Sequence, residues 1–322
     1  MTTLDGARFL EEQLESIVAQ SPPPAEIVVG DDGSTDRTGA LIEAARARCP
    51  VPIRSIGGTH VGLRANVERV LNACRGDVIA LSDQDDVWLP GRMRAIEDSF
   101  AEPGVMLWFS DADLIDEVGR AMGRRLWESV GLSHDALEAL TGGRQLRRLL
   151  HGMTVTGATM AFRADVLPLA VPFPSELDGP DHLFLHDGWI AVLASLRGDI
   201  VADPRVLTRY RQHGGQFTGM QVARSLNEDQ TRHRRASRGD LAKELGRVRL
   251  VLDRLREREA LEQCRPEDAT MLRELDELLS VRASAFGPER LLPVMRLLVA
   301  GRYRTYARGW RTAVGDLLLR RR

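Results

Sequence analysis

The segment Ser82-Asp83-Gln84-Asp85-Asp86 crowds three carboxylates into five residues, directly after the apolar run Val78-Ile79-Ala80-Leu81 and before Val87-Trp88-Leu89-Pro90. Like charges this close repel unless a cation compensates them, and carboxylate oxygens are the ligands that Mg2+ or Mn2+ prefers. The bland alternative is a solvated loop that caps the helix after Pro90. Position at the C-terminal end of a buried strand favours the metal. A second acidic run, Asp31-Asp32-Gly33-Ser34-Thr35-Asp36, follows the strand-like Glu26-Ile27-Val28-Val29-Gly30. There Gly33 allows a tight turn and Ser34 to Asp36 supply a helix cap. A carboxylate at such a strand end can also accept the imide N–H of uracil or thymine, or a ribose hydroxyl, and Asp32 is the better candidate of the pair.

Two further groups carry potential chemistry. His186-Asp187-Gly188-Trp189 opens a helical stretch, where Asp187 either serves the helix dipole as a first-turn acid or takes the proton from an attacking hydroxyl. Trp189 reads as core. Arg211 and His213 stand in Arg209-Tyr210-Arg211-Gln212-His213-Gly214-Gly215, a Gly-containing segment suited to a mobile lid. Arg211 can pair a phosphate and His213 can act as ligand or donor, although a lone histidine is more often structural.

These groups need a scaffold, and the surrounding pattern predicts one. Apolar residues at Phe9, Leu10, Leu14, Ile17 and Val18 predict a helix from Asp5 to Ala19, with Asp5 at its cap and Ser21-Pro22-Pro23-Pro24 ending it. The strand before Asp31 is followed by a helix from near Thr35 and a short strand at Ile53 to Ile56. A helix carrying Leu63, Val67, Val70, Leu71 and Cys74 precedes the strand Val78 to Leu81. Another helix carries Met93, Ile96 and Phe100, and the strand Val105 to Phe109 comes after it. Strands alternating with helices predict an α/β, Rossmann-like domain with a parallel sheet, whose ligands bind beyond the carboxyl ends of the strands. A strand from Thr156 to Phe162 and a helix around Trp189 to Leu196 are expected to complete the pocket. After about Val222 the sequence turns to alternating acids and arginines, with Leu241, Leu245, Val248, Leu252 and Leu255 at helical spacing. The expected domains are therefore 1–222 and a helical region 223–322. Its tail, from Gly301-Arg302-Tyr303 to Leu319-Arg320-Arg321-Arg322, mixes arginines with aromatics and leucines and suits peripheral contact with an anionic membrane.

Composition narrows the classes. With 322 residues, 43% hydrophobic and 28% charged, the chain can bury a sizeable core. A net charge of -2 gives no general preference for nucleic acid. Three separated cysteines, Cys49, Cys74 and Cys264, suggest neither a zinc site nor a disulfide framework. No signal sequence or spanning segment is visible, so a cytoplasmic location is expected.

Taken together, Asp31-Asp32-Gly33-Ser34-Thr35-Asp36, Asp83-Gln84-Asp85-Asp86-Val87-Trp88, His186-Asp187-Gly188-Trp189 and Arg211-Gln212-His213-Gly214 resemble the family 2 glycosyltransferases of the GT-A fold. The resemblance spans roughly residues 2 to 220 and is closest to bacterial rhamnosyltransferases and cell-wall or O-antigen glycosyltransferases. It implies an inverting transfer from a nucleotide diphosphate sugar, with rhamnose on deoxythymidine diphosphate as the leading donor, to a saccharide or lipid-linked saccharide hydroxyl. It further implies Asp83 and Asp85 as the Asp-X-Asp metal pair, with Asp85 the likelier direct ligand. Thr2, Asp32 and Asp83 fall at the nucleotide, Asp187 at the general base, Arg211 and His213 at the diphosphate, and Thr156 and Gly157 on the acceptor side.

Two departures from the family pattern are evident. A strand of about six apolar residues is expected before Thr2-Thr3-Leu4-Asp5-Gly6-Ala7, yet Met1 stands where it should end. The expectation is a chain starting downstream of its natural start, with neighbouring strands left unpaired. The usual Tyr-Asn of this turn is Leu4-Asp5, which removes an aromatic near the base and is expected to lower nucleotide affinity. Rival readings are a sugar nucleotidyltransferase, which would want an N-terminal Gly-rich phosphate loop, an aspartyl phosphatase using Asp83 and Asp85, and a membrane-bound scaffold that has lost catalysis.

Overall fold

Strand β1 (Thr2–Thr3) is only two residues long and lies parallel to β2 (Ile27–Asp31), with Thr2 beside Gly30 and Thr3 beside Asp31. The expected loss of the first strand is therefore corrected in part. Gly30 N donates to Met1 O at 2.9 Å and Asp32 N to Thr3 O at 2.9 Å, so this short segment satisfies the β2 groups that would otherwise be orphaned. Strand β3 (Ile53–Gly57) completes a parallel three-stranded sheet in the order β1-β2-β3. Structure is described for residues 1–132, 137, 145–152, 155–178, 183–214, 238–284 and 287–318 of this computed structural model.

Helices cover both faces of the first sheet. Helix α1 (Leu10–Val18) and α2 (Thr38–Arg48) bury Leu10, Leu14, Ile17, Ile42 and Ala45 against Ile27, Val29 and Ile53. On the other face α3 (Leu63–Ala73) comes so close to β2 that a Cβ on Gly30 would lie 2.4 Å from Val70 Cγ2, which is why glycine stands there. Helix α1 begins at Leu10, not Asp5. Asp5 instead adopts φ 47° and turns its carboxylate to Thr35 N at 2.8 Å, so the acid expected to cap its own helix fastens the neighbouring loop.

The second sheet runs β4 (Val78–Ala80), β8 (Met160–Arg163), β6 (Val105–Ile115), β9 (Asp199–Arg211) and β5 (Val87–Trp88), with β7 (Ala121–Arg125) paired to β6. Only β6 and β9 are parallel, so the all-parallel expectation holds for the first sheet and fails here. Alternation of strands and helices along the chain could not reveal that β8 inserts antiparallel between β4 and β6. Strand β6 is buried nearly throughout because β8 and β9 flank it and α4 (Arg92–Phe100) packs Ala95, Ile96 and Phe100 against Val105 and Trp108. Helix α5 (His186–Ser195) buries Asp187 through Ser195 without an exposed face, as an apolar-all-round sequence should. The expected strand at Thr156 starts only at Met160, after a 3-10 turn over Gly157–Thr159.

The chain divides into two units, Met1–Asp178 with Phe184–Asp229, and Gly179–Leu183 with Gln230–Arg322. The expected boundary at Val222 and the terminal Leu319 to Arg322 lie outside the described residues. The second unit is helical: α6 (Arg238–Glu257), α7 (Pro266–Ala283), α8 (Leu291–Val299), α9 (Arg302–Tyr306) and α10 (Trp310–Leu318). Leu278, Val294, Leu297, Tyr303 and Ala313 form one of its cores. Among the described residues no helix is long and apolar enough to cross a membrane.

Candidate active site

A cavity of about 400 Å3 in the first unit gathers Thr2, Asp32, Asp83, Asp85, Thr156, Gly157 and Asp187 on its walls. These come from the end of β1, the loop after β2, the loop after β4, the turn before β8 and the first turn of α5. Seven of the nine residues singled out from the sequence thus meet in one space. Arg211 and His213 are the two that do not line it.

The acid loop after β4 is held from several sides. Gln13 of α1 donates to Ser82 Oγ at 2.8 Å and to Asp83 O at 3.1 Å. Gln84 Oε1 accepts from Thr3 Oγ1 and from Leu4 N at 3.0 Å, tying the loop to the end of β1. A Cβ on Gly6 would fall 2.1 Å from that amide oxygen, so Gly6 is what lets Gln84 in. Arg211 is the strongest restraint: its Nε donates to Asp85 O at 2.6 Å, its backbone N to Asp86 Oδ1 at 2.9 Å and its Nη2 to Glu12 at 2.6 Å. It is 2% exposed, and its guanidinium lies 4.8 Å from the centre of the Phe9 ring. The lid expectation is corrected accordingly. Arg211 ends strand β9, does not line the cavity and holds the acid loop in place. His213 is half-buried and its Nε2 sits 2.7 Å from Asp85 Oδ2, with its ring against Phe9.

The carboxylates of this loop are left short of positive charge. The Asp83 carboxylate accepts no hydrogen bond from a described residue, and burial, reinforced by Asp85 and Asp187, pushes its pKa up to about 7. Asp86 is pushed well above the carboxylate range, first by burial and then by Asp85 and Asp83, against the opposing pull of the Arg211 N–H and Arg92. Its Oδ2 has no partner among the described residues. Arg92, fully buried at the start of α4, lies 4.2 Å from the Trp88 ring centre and donates to Ala158 O at 2.9 Å and to Thr208 Oγ1. Burial lowers its pKa to about 9, while Asp86 and Asp83 oppose the shift. Among the described residues no group of three His, Cys, Asp or Glu side chains is placed to hold a metal ion. What the loop offers is a pair of hard carboxylates, Asp83 and Asp85, the latter bonded to His213. That fits Mg2+ or Mn2+, which keep water and phosphate oxygens among their ligands.

In the first turn of α5, Asp187 Oδ2 accepts from Gly157 N at 2.9 Å and Oδ1 from Gly188 N at 2.7 Å. Both bonds aim the carboxylate, and each oxygen keeps a lone pair. A Cβ on Gly157 would sit in ordinary van der Waals contact with Asp187 Cβ at 3.4 Å and Oδ2 at 3.5 Å, so the turn packs directly against the carboxylate. His186 beside it also lines the cavity, and burial lowers its pKa while Asp187 opposes the shift. In the loop after β2, Asp32 is 5% exposed and accepts from Val61 N at 2.8 Å and Gly62 N at 2.9 Å. Sequence reasoning gave no role to Gln13, Gln84, Arg92, His186 and Tyr210. Gln84, His186 and Tyr210 stand inside motifs it singled out, whereas Gln13 and Arg92 lie in helices whose composition says nothing of where these side chains point.

Comparison with known proteins identifies the family. The family model for glycosyl transferase family 2 matches residues 1–167. An uncharacterized glycosyltransferase of Nostoc sp. is 27% identical over 228 residues, covering 70% of this chain and 67% of its own. The dTDP-rhamnosyl transferase RfbG of Shigella flexneri is 31% identical over 99 residues, covering 29% of this chain and 34% of its own. The crystal structure of S. aureus TarS 1-349 in complex with UDP-GlcNAc superposes with a TM-score of 0.53 at 16% identity, covering 98% of this chain and 87% of that one, which establishes likeness of fold. The chain belongs to glycosyl transferase family 2 and is a glycosyltransferase of the GT-A fold.

Proposed function

We propose that this enzyme catalyses an inverting, metal-dependent transfer from a nucleoside diphosphate sugar to a saccharide or lipid-linked saccharide hydroxyl in cell-surface polysaccharide or O-antigen synthesis. The observation that carries it is the meeting, in one cavity, of an undercompensated acid loop and a separately aimed carboxylate. Asp83 and Asp85, with His213 adjoining, would hold the cation. A divalent ion there supplies charge neutralisation of the leaving diphosphate. Thr2 and Asp32 border the nucleotide, with Asp32 acting also through the Val61-Gly62 loop that it fixes. Asp187 removes the proton of the acceptor hydroxyl as its oxygen bonds to the anomeric carbon, and the carbon–oxygen bond to the diphosphate breaks on the opposite face. Thr156 and Gly157 shape the acceptor side. The match to RfbG supports deoxythymidine diphosphate rhamnose as the donor, and the fold shared with TarS, whose crystals held UDP-GlcNAc, supports a nucleotide sugar in general.

Calorimetry with UDP, dTDP and GDP, with and without Mn2+, tests this reading on the wild type and Asp85→Ala. Metal-dependent binding of one nucleotide, lost in the variant, is expected. Binding of none would favour the scaffold reading.

The second unit supports membrane contact. Leu292, Val299, Trp310 and Leu318 are 80%, 85%, 64% and 71% exposed. On α8 the exposed apolar residues are Leu291, Leu292, Met295 and Val299, one helical face, and on α10 Trp310, Val314 and Leu318 form another, with exposed Arg304, Arg308 and Arg311 nearby in sequence. Leu292→Asp combined with Val299→Asp should abolish co-flotation with anionic vesicles. Unchanged flotation would refute the contact.

A further inference from the structure

Tyr210 belongs to the cavity but to none of the roles above. It is 7% exposed and stands one residue before Arg211 on β9, where β9 runs antiparallel to β5 with Val87 beside Arg209 and Trp88 beside Thr208. That register brings Tyr210 level with Asp86, whose Oδ1 accepts from the next residue's N–H. Alternation along β9 puts the Tyr210 ring on the same side as Thr208. The Thr208 hydroxyl shares Arg92 Nη1 with Ala158 O, and Ala158 follows the Gly157 whose N–H holds Asp187. Tyr210 thus stands between the acid loop and the base. No described residue hydrogen-bonds its hydroxyl, although the residue lines the cavity. A hydroxyl on the cavity wall that the fold leaves without a partner is open to a ligand. Burial, together with Asp83, Asp86, Asp85 and Asp187, drives the phenol's pKa far upward, which leaves it a donor at every physiological pH.

In a displacement at the anomeric carbon, the atoms between the diphosphate and the attacking hydroxyl are those of the sugar. We infer that the Tyr210 hydroxyl donates a hydrogen bond to an oxygen of the transferred sugar, making it a residue that recognises the sugar and not the nucleotide. This rests on the transferase reading of the cavity, and its test separates the two. Binding of UDP, UDP-GlcNAc, dTDP and dTDP-rhamnose with Mn2+ is measured by calorimetry on the wild type and Tyr210→Phe, with thermal melts to verify folding. The nucleoside diphosphate bound by the wild type should bind the variant within about 2-fold, while its sugar conjugate weakens by about 5- to 10-fold, the size of one neutral hydrogen bond. Equal loss for both ligands would make Tyr210 merely structural, and no loss for either would remove it from the site. A wild type that binds a diphosphate but neither sugar conjugate would overturn the inference alone. A wild type that binds no nucleotide would overturn the cavity assignment and the inference with it.

Discussion

The two acidic loops, Asp31 to Asp36 and Asp83 to Asp86, look alike as sequences and are put to opposite uses. In the first, every carboxylate is consumed by donors of the fold: Asp31 by Ser34 N at 3.1 Å, Asp32 by Val61 and Gly62, Asp36 by Ala7 N at 3.0 Å and Thr38 N at 2.8 Å. Asp36, fully exposed, has its pKa lowered by those bonds. In the second, the Asp83 carboxylate has no donor among the described residues, Asp86 has one oxygen unmet among them, and both are pushed upward. In the first loop the carboxylates hold the fold together; in the second, Asp83 and Asp86 are crowded without enough donors, a charge that a cation would answer. Position at a strand end, shared by both loops, does not distinguish them.

The largest effect that would sharpen this contrast is at the base. Asp187→Asn should lower kcat by about 100- to 10,000-fold, with nucleotide affinity by calorimetry nearly unchanged. A comparable loss of nucleotide affinity would place Asp187 at the donor instead. Next, Asp32→Ala should destabilise the first unit by about 2 to 3 kcal/mol in urea unfolding, because two buried backbone donors lose a charged acceptor. Asp83→Asn should cost nothing or stabilise the metal-free protein, since it removes a crowded charge. If the two variants unfold alike, the loops do not differ as argued.

A smaller effect comes from an acid that has neither answer. Asp268, in the first turn of α7, is buried, and burial first, with Glu267 adding to it against Arg265, pushes its pKa up to about 6. Its folded pKa is above the unfolded value of 3.8, so the folded state holds the proton more tightly. Stability from this group therefore falls as pH rises from about 4 to about 6 and stays lower above that. Asp268→Asn should be more stable than the wild type at about pH 7.5 by about 1 kcal/mol, with the gap closing towards about pH 4.5 in paired melts. A gap independent of pH would exclude the carboxyl as its source.

Much of this was legible beforehand because strong periodicity and turn residues mark where α1 to α4 and β2, β3, β4 and β6 lie, and because the acidic motif is compact. What stayed hidden was pairing. That β8 would insert antiparallel, that Asp5 would fasten a neighbouring loop, and that Arg211 would be buried under the acid loop all depend on contacts between residues far apart in the chain. Arg211 was misread for a physical reason: an arginine near glycines suits a phosphate lid as well as it suits the end of a buried strand, and only the partners Glu12, Asp85 and Asp86 decide.

The most direct test counts Mn2+ by electron paramagnetic resonance, in the presence of the nucleoside diphosphate that the protein binds, in the wild type, Asp85→Ala and Asp31→Asn. The account predicts one bound ion in the wild type and in Asp31→Asn, and none in Asp85→Ala. Equal binding in all three, or loss in Asp31→Asn alone, would contradict it.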